Sequence, residues 1–272
     1  MNRTISTVCM GVLIMTLSVL SSAADSVPRL EHPRPDMERA QWLSLNGLWE
    51  FAETDDDSAQ LLDADSVYPD RIVVPFCRES ALSGLNRKHF VRHVWYRRQF
   101  EVPDDWAGRR VLLHVGACDW QTRVWVNGKP VGEHTGGSAP LSCDITDALV
   151  PGANRVVIHA YDDVRTGQQA GGKQSERPES YGCLYTRTTG IWQSVWVETA
   201  GPAYIRRFRV YPEPAARQIR LTVDTAGQRG GERLSLAAEA LAEGEVVGHD
   251  EVILPGSRGE LVVSLSRVTL WH

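Results

Sequence analysis

Short segments in which apolar and polar residues alternate run along most of the chain. In residues 155–161, Val156, Ile158 and Ala160 fall on one face, as in a strand with one buried side. In residues 191–198, apolar side chains fall on both faces, which predicts a central strand between two layers. Prolines and glycines separate these segments, and helical periodicity is nearly absent. The pattern therefore predicts an all-β fold.

A hairpin is the clearest local element that the pattern predicts. Valines and a tryptophan alternate over residues 124–126, and a second extended segment follows at 129–134. Between them stand Asn127 and Gly128, a pair that tolerates positive φ at both corners of a type I′ turn. We therefore expect two antiparallel strands joined by a two-residue loop.

The composition and the hydrophobic pattern of the sequence change after Gly201 and Pro202. Aromatic residues become rare, and the alternation becomes regular in three segments, 219–223, 234–238 and 261–265. This regularity is typical of a β-sandwich in which each sheet has one solvent-exposed face. We expect about five strands from Tyr204 onward. The stretch is shorter than the ~100 residues of such a domain, so we expect this second sandwich to be incomplete.

The first 24 residues have the features of a signal peptide. Arg3 precedes an apolar run at 8–20, and small residues at 22–24 form a cleavage site. The run is too short, and too often interrupted by Ser and Thr, to span a membrane comfortably. An uncleaved membrane anchor is the alternative interpretation. We expect an exported protein, periplasmic or secreted, with no membrane attachment after cleavage.

Charge and cysteine usage exclude some classes of function. The formal net charge is −5 and the sequence contains no basic block, so a nucleic-acid partner is not expected. Four cysteines follow the leader, namely Cys77, Cys118, Cys143 and Cys183. An exported chain permits disulfides and the sequence cannot rank their pairings, but we expect mostly buried free thiols.

Several motifs together resemble the N-terminal part of glycoside hydrolase family 2, which contains β-galactosidases, β-glucuronidases and β-mannosidases. Besides the hairpin, they are Asn-Gly-Leu-Trp at 46–49, Tyr-Arg-Arg-Gln-Phe at 96–100, Gly-Gly at 136–137, Asp-Ile-Thr at 144–146 and Thr-Gly-Ile-Trp-Gln at 189–193. The resemblance implies a jelly-roll β-sandwich, the sugar-binding domain, over 25–201. It further implies an incomplete immunoglobulin-like β-sandwich over 202–272.

The resemblance also implies where the chemistry lies. Members of the family are retaining glycosidases, and their two catalytic glutamates stand on a (β/α)₈ barrel that follows the two sandwiches. No residue here matches those glutamates, so we expect no catalytic residue, cofactor or metal in this chain. We expect the non-catalytic part of a glycosidase, a fragment that provides scaffold and part of a sugar pocket. Its partner would be a carbohydrate substrate, and a homo-oligomer is compatible with the family.

Four residues are candidates for contact with the sugar: Tyr181, Tyr185, Arg187 and Asp119. Aromatic rings stack on pyranose faces, and guanidinium groups donate paired hydrogen bonds. Three of them lie in or next to a long polar loop at 162–182, which we expect to close over the active site. The resemblance places an acid at position 184, where this chain has Leu184, so a direct carboxylate contact is in doubt.

Weaker motifs have competing interpretations. His89 and His93 are four residues apart, a spacing that would place two metal ligands on one face of a helix, but the surrounding residues indicate a strand. Gly171, Gly172 and Lys173 lack the strand–loop–helix setting of a phosphate site, and no serine-hydrolase elbow is present. Two alternatives to the leading function remain open: a stand-alone carbohydrate-binding module, and a truncated product without a function of its own.

Overall fold

The computed structural model describes residues 27–57, 59–62, 65–228 and 233–270. The expected signal peptide, 1–24, and Trp271 lie outside these ranges. Over the described residues the chain is all-β, as predicted, and its helical turns are single 3₁₀ turns of three or four residues. No helix in these ranges has both the length and the apolar character needed to cross a bilayer.

The described ranges contain seventeen strands and five 3₁₀ turns. The strands are β1 Trp42–Ser44, β2 Gly47–Thr54, β3 Asp70–Val74, β4 His93–Glu101, β5 Arg110–Val115, β6 Cys118–Asp119, β7 Gln121–Val126, β8 Lys129–Thr135, β9 Leu141–Asp144, β10 Ala153–Tyr161, β11 Gly190–Ile191, β12 Val195–Ala200, β13 Tyr204–Glu213, β14 Gln218–Ala226, β15 Leu234–Ala242, β16 Glu245–Leu254 and β17 Arg258–Ser264. The turns are Ala59–Leu62, Ala81–Ser83, Asp104–Trp106, Thr146–Ala148 and Pro214–Ala216.

Two antiparallel sheets form the first sandwich. One has the order β1-β12-β5-β9 and the other β3-β2-β4-β10-β7-β8. The core between them contains side chains from both sheets, including Trp49, Tyr96, Leu113 and Val197. The second face of the six-stranded sheet is covered as well, because Trp95 packs there with Leu61 and Tyr68. A two-stranded sheet, β6-β11, lies at one end of this sandwich.

The predicted hairpin is confirmed as β7 and β8. Asn127 has φ 50° and Gly128 has φ 78°, the positive values that a type I′ corner requires. Alternation also placed β10 correctly, since Val156, Ile158 and Ala160 all enter the main core. Beyond residue 201, the described residues form five strands, β13–β17, which is the number that the pattern predicts.

One predicted strand is interrupted. Residues 191–198 form two elements, β11 and β12, separated at 192–194. Gly190 has φ +76° and lies against the Tyr96 hydroxyl, which accepts a hydrogen bond from the Ile191 amide at 3.2 Å. The chain therefore pairs first with β6 and then with β1 and β5. Alternation alone could not show this change of sheet.

Strands β13–β17 pair only with one another, in sheets β13-β14-β17 and β15-β16. Val223, Leu236, Leu254 and Leu261 form their buried cluster. Arg39 links this part to the first sandwich, because it forms an ion pair with buried Glu198 and donates to the Ile205 carbonyl at 2.8 Å. The immunoglobulin-like character and the boundary at 201 remain predictions.

Candidate functional site

Three buried carboxylates fix the loop between β10 and β11, residues 162–189: Glu79 and Asp119 lie outside the loop, and Asp162 is its first residue. The Gln169 amide donates to Asp162 at 2.6 Å, near the start of the loop. The Gln174 amide donates to Asp119 at 2.7 Å, in the middle. The three carboxylates, Glu79, Asp119 and Asp162, are called the acid cluster below. Glu79 accepts from the backbone amide of Thr189 at 3.2 Å, where the loop ends.

Asp119 lies in β6, paired with Gly190, and the Asp119–Trp120 peptide bond is cis. The residue is 5% exposed, and its carboxylate sits directly against Gly137. A methyl group on Gly137 would approach the carboxylate oxygen to 2.3 Å, so only glycine permits this contact. Burial raises the pKa of Asp119, and the Gln174 hydrogen bond opposes that shift.

The pKa of Asp162 is shifted more strongly than that of Asp119. Burial, together with the nearby negative charge of Asp119, raises the pKa of Asp162 to about 7. Glu79 has a cationic partner, since the fully buried Arg78 guanidinium lies 3.0 Å from its carboxylate. The cavity at Asp162 has a volume of about 10 Å³, enough for a water molecule and too small for a sugar. The acid cluster therefore holds the loop and is closed to substrate.

Arg187 anchors the second half of the loop. It is 3% exposed and donates to the carbonyls of Arg177, at 2.9 Å, and of Lys88. Its guanidinium lies 3.9 Å from the Phe90 ring centre, and Arg165 lies 4.1 Å from the same ring. These contacts commit the Arg187 side chain to the loop.

Tyr181 and Tyr185 are the two sequence candidates that reach solvent, at 36% and 64% exposure. Tyr181 forms a small bridge with Leu184, and the Arg177 guanidinium lies 4.1 Å from its ring centre. Tyr185 is fixed through its backbone, which bonds to Lys173 and Ser175. Both rings therefore stand on an ordered segment. Leu184 is half-buried between them.

The structure thus brings the four candidate residues into one region with two roles. Tyr181 and Tyr185 present open rings, whereas Asp119 and Arg187 are buried and hold the segment that carries them. Sequence reasoning missed Glu79, Asp162 and Gln174. Asp162 had a usable signal, since it follows directly on the buried strand β10, but Gln174 lies in a polar run with no distinguishing pattern.

The weaker motifs do not assemble into a metal site. His89 lies 2.8 Å from Glu53 and contacts Arg78, while His93 stacks on His159. Within the described ranges, no group of three or more potential ligands could hold a metal ion.

The four cysteines are free thiols. Cys118 and Cys143 are buried, Cys77 is half-buried and Cys183 is exposed. The expectation of buried thiols therefore holds for two of the four.

Comparison with known proteins identifies the family. Residues 81–169 match the family model described as glycosyl hydrolases family 2, sugar binding domain. A β-glucuronidase from Paenibacillus borealis is 34% identical over 119 residues, or 42% of this chain and 20% of that protein. Residues 81–169 belong to the sugar-binding domain of glycoside hydrolase family 2. The acid cluster residues Asp119 and Asp162 fall within the matched model, and the segment 171–189 follows it.

A longer match supports the same family. A β-galactosidase from Thermoanaerobacter pseudethanolicus is 24% identical over 236 residues, which cover 85% of this chain and 31% of that protein. The chain thus matches about a third or less of the length of these relatives.

Solved structures agree on the fold. A Bifidobacterium dentium β-glucuronidase aligns with a TM-score of 0.65 at 20% identity, covering 84% of this chain and 42% of that one. A Ruminococcus gnavus β-glucuronidase aligns with a TM-score of 0.62 at 21% identity, covering 88% and 41%.

Proposed function

We propose that this chain provides the scaffold and one wall of the sugar pocket of an exported family 2 glycosidase. In the complete enzyme, that pocket binds a terminal β-linked sugar, and hydrolysis is carried out by catalytic glutamates outside the described residues. The match to the sugar-binding family model supports the assignment. The relatives named β-glucuronidase and β-galactosidase support the β-linkage.

The observation that carries the proposal is the presentation of Tyr181 and Tyr185. Both rings are exposed on a segment whose backbone is fixed by hydrogen bonds and by the acid cluster. Rigid aromatic rings bind the apolar face of a pyranose at little entropic cost. Asp119 and Arg187 contribute indirectly, by holding the segment.

The buried state of the acid cluster supports a non-catalytic role. A retaining glycosidase needs two carboxyl groups about 5–5.5 Å apart on either side of the scissile bond. Asp119 and Asp162 are 5% and 3% exposed, and the cavity beside Asp162 has a volume of about 10 Å³. Sugar therefore cannot reach these groups while the loop is in place.

A turnover assay tests the proposal. The purified chain, residues 25–272, is incubated with aryl β-glucuronide, β-galactoside and β-mannoside substrates beside an active family 2 enzyme. We expect no release of the aryl group above a heat-denatured control. Turnover that co-purifies with the chain and disappears on unfolding would contradict the proposal. N-terminal sequencing of the exported product tests the leader, and a start at Asp25 is expected.

A binding module that acts alone is the second candidate, favoured by the exposed tyrosines. Such modules use a platform of exposed aromatic rings, whereas each tryptophan in the described ranges is buried or half-buried. Titration with neutral oligosaccharides, monitored by intrinsic fluorescence, distinguishes the binding module from the part of a glycosidase. Saturable micromolar binding that is lost in Tyr181→Ala/Tyr185→Ala would favour the module, and we expect millimolar or weaker affinity for the isolated chain.

A further inference from the structure

Two adjoining grooves share Arg207. The larger, of about 730 Å³, lies between the N-terminal segment, the start of β12 and strand β13, and Arg34 and Arg206 also line it. The smaller, of about 240 Å³, lies on the solvent-facing side of the sheet β13-β14-β17, where Arg209 and Arg258 line it. These five residues, Arg34, Arg206, Arg207, Arg209 and Arg258, are called the arginine strip.

The arginine strip carries more positive charge than the acids around it neutralise. Asp224 is held by Arg207 and Arg258, at 2.9 and 2.6 Å, and Asp36 lies 4.0 Å from Arg34. Arg206 and Arg209 form no ion pair with any carboxylate in the described part of the chain. Because the whole chain has a net charge of −5, this surplus is a local feature.

The remaining lining groups suit a sugar. Ser142, Gln193 and Ser194 supply hydroxyl and amide groups to the larger groove, and Tyr211 and Thr222 line the smaller one. The Ser142 hydroxyl is oriented by the buried His114 ring, 2.7 Å away. Guanidinium groups pair with carboxylates and sulfates, while hydroxyls and amides bond to sugar hydroxyls. Single-stranded nucleic acid would need several exposed stacking rings. Of the aromatic residues that line the two grooves, Trp196 is buried, Phe208 packs against the buried cluster, and the half-buried Tyr211 ring has the Arg220 guanidinium 4.7 Å from its centre.

We propose that the arginine strip binds an anionic saccharide chain that carries carboxylate or sulfate groups. The volume of the larger groove lies within the range of small-ligand sites, and the smaller groove extends it along β13. The strip shares no residue with the loop 162–189 that carries Tyr181 and Tyr185, and neither do the other lining residues of the two grooves. The arginine strip would hold an acidic polysaccharide next to the enzyme independently of hydrolysis.

Calorimetric titration of the full chain tests the site. The probes are a hyaluronan hexasaccharide, which carries carboxylates alone, a heparin hexasaccharide, which adds sulfates, and a neutral chitin hexasaccharide. We expect saturable binding of at least one acidic probe and none of the neutral one. Binding of hyaluronan identifies carboxylate as sufficient, whereas binding of heparin alone identifies sulfate as required. Affinity should fall at least severalfold as NaCl rises from about 0.05 to about 0.3 M.

Variants locate the site. Arg206→Ser/Arg209→Ser removes the two unpaired cations and should weaken binding roughly tenfold or more. Arg29→Ser/Arg109→Ser removes the same charge elsewhere on the surface and should change affinity less than about twofold. If the first variant fails to fold, the single changes Arg206→Gln and Arg209→Gln take its place, and each should weaken binding severalfold.

Three results would overturn the proposal. They are the absence of binding by both acidic probes, an equal loss of affinity in the two double variants, and equally tight binding of a thymidine hexanucleotide. The third result would mean a surface that attracts any polyanion. None of these measurements depends on glycosidase turnover.

Discussion

Among the buried carboxylates, the kind of donor that each one meets decides its pKa. Asp119 and Asp162 accept hydrogen bonds from the neutral amides of Gln174 and Gln169. A neutral amide does not offset the cost of removing a carboxylate from water, so burial raises both pKa values. Glu198 has cationic and histidine partners instead, and its pKa is lowered.

Asp162→Asn is expected to stabilise the protein more at high pH than at low pH. Burial raises the pKa of Asp162 from 3.8 to about 7, so its contribution to stability is present below pH 3.8 and is lost as the pH rises through 7. Relative to the natural chain, the variant should gain about 4 kcal/mol in unfolding free energy between acid and pH 8. Urea unfolding of the variant and the natural chain at about pH 4 and about pH 8 measures this gain in unfolding free energy. An equal difference at both pH values would contradict this account.

Gly190→Ala is expected to destabilise more than Gly84→Ala, although both residues have positive φ, +76° and +84°. At Gly84 nothing lies within 4 Å of the added methyl group, so the cost is that of the backbone alone, about 1–2 kcal/mol. At Gly190 the methyl group would lie 2.2 Å from the Tyr96 hydroxyl, which adds about 1–3 kcal/mol. Denaturant midpoints compare the two variants, and equal losses would refute the packing argument.

At the scale of elements, the loop 162–189, all of which is described, is ordered although it contains no named strand or helix. Its start, middle and end are tied to Asp162, Asp119 and Glu79, and Arg187 ties its second half to residues 88–89. Side-chain anchors at several points remove conformational freedom that a polar loop otherwise keeps. This is how an irregular segment can present two tyrosines in fixed positions.

Gln174→Ala is expected to loosen the second half of the loop while the sheets stay intact. The change removes the amide bond to Asp119 and the acceptor for the Thr188 amide, at 2.7 and 2.9 Å. Hydrogen exchange in residues 174–188 should accelerate about tenfold or more, while β4 and β10 are unchanged. Gln168→Ala, at an exposed position of the same loop, is the control. Similar exchange in the two variants would mean that Gln174 is not an anchor.

Sequence patterns predict the elements here better than the site. Alternation located β10, the β7–β8 hairpin and strands β14, β15 and β17, because burial of one face leaves a period of two. The bond from Gln174 to Asp119 joins residues 55 apart, and no local pattern encodes it. Exposure is equally non-local: Tyr185 and Arg187 stand two residues apart, yet one is open and the other is buried.

At the scale of the whole molecule, the strands divide into two self-contained sets. No backbone pairing joins β1–β12 to β13–β17 in the described ranges, and Arg39 supplies a link between them. Each set has its own buried cluster. The two sets should therefore unfold as separable units.

Removing residues 202–272 is expected to leave a folded first sandwich. The shortened chain, 25–201, keeps its whole main core and loses the bond from Arg39 to the Ile205 carbonyl. Calorimetry should show one cooperative transition, with a melting temperature lowered by several degrees at most. Near-ultraviolet circular dichroism checks that the tryptophans keep their packing. A non-cooperative melt would place the unit boundary elsewhere.

The distribution of the cysteines has a practical consequence for following the loop. Cys183 stands exposed between the two tyrosines, while burial raises the pKa of the Cys118 and Cys143 thiols to about 12 and that of Cys77 to about 11. Because thiolates are the reactive form, a maleimide dye should attach at position 183 in preference to those three. The natural sequence thus offers a built-in labelling point from which the surroundings of Tyr181 and Tyr185 can be followed in real time while a sugar is added.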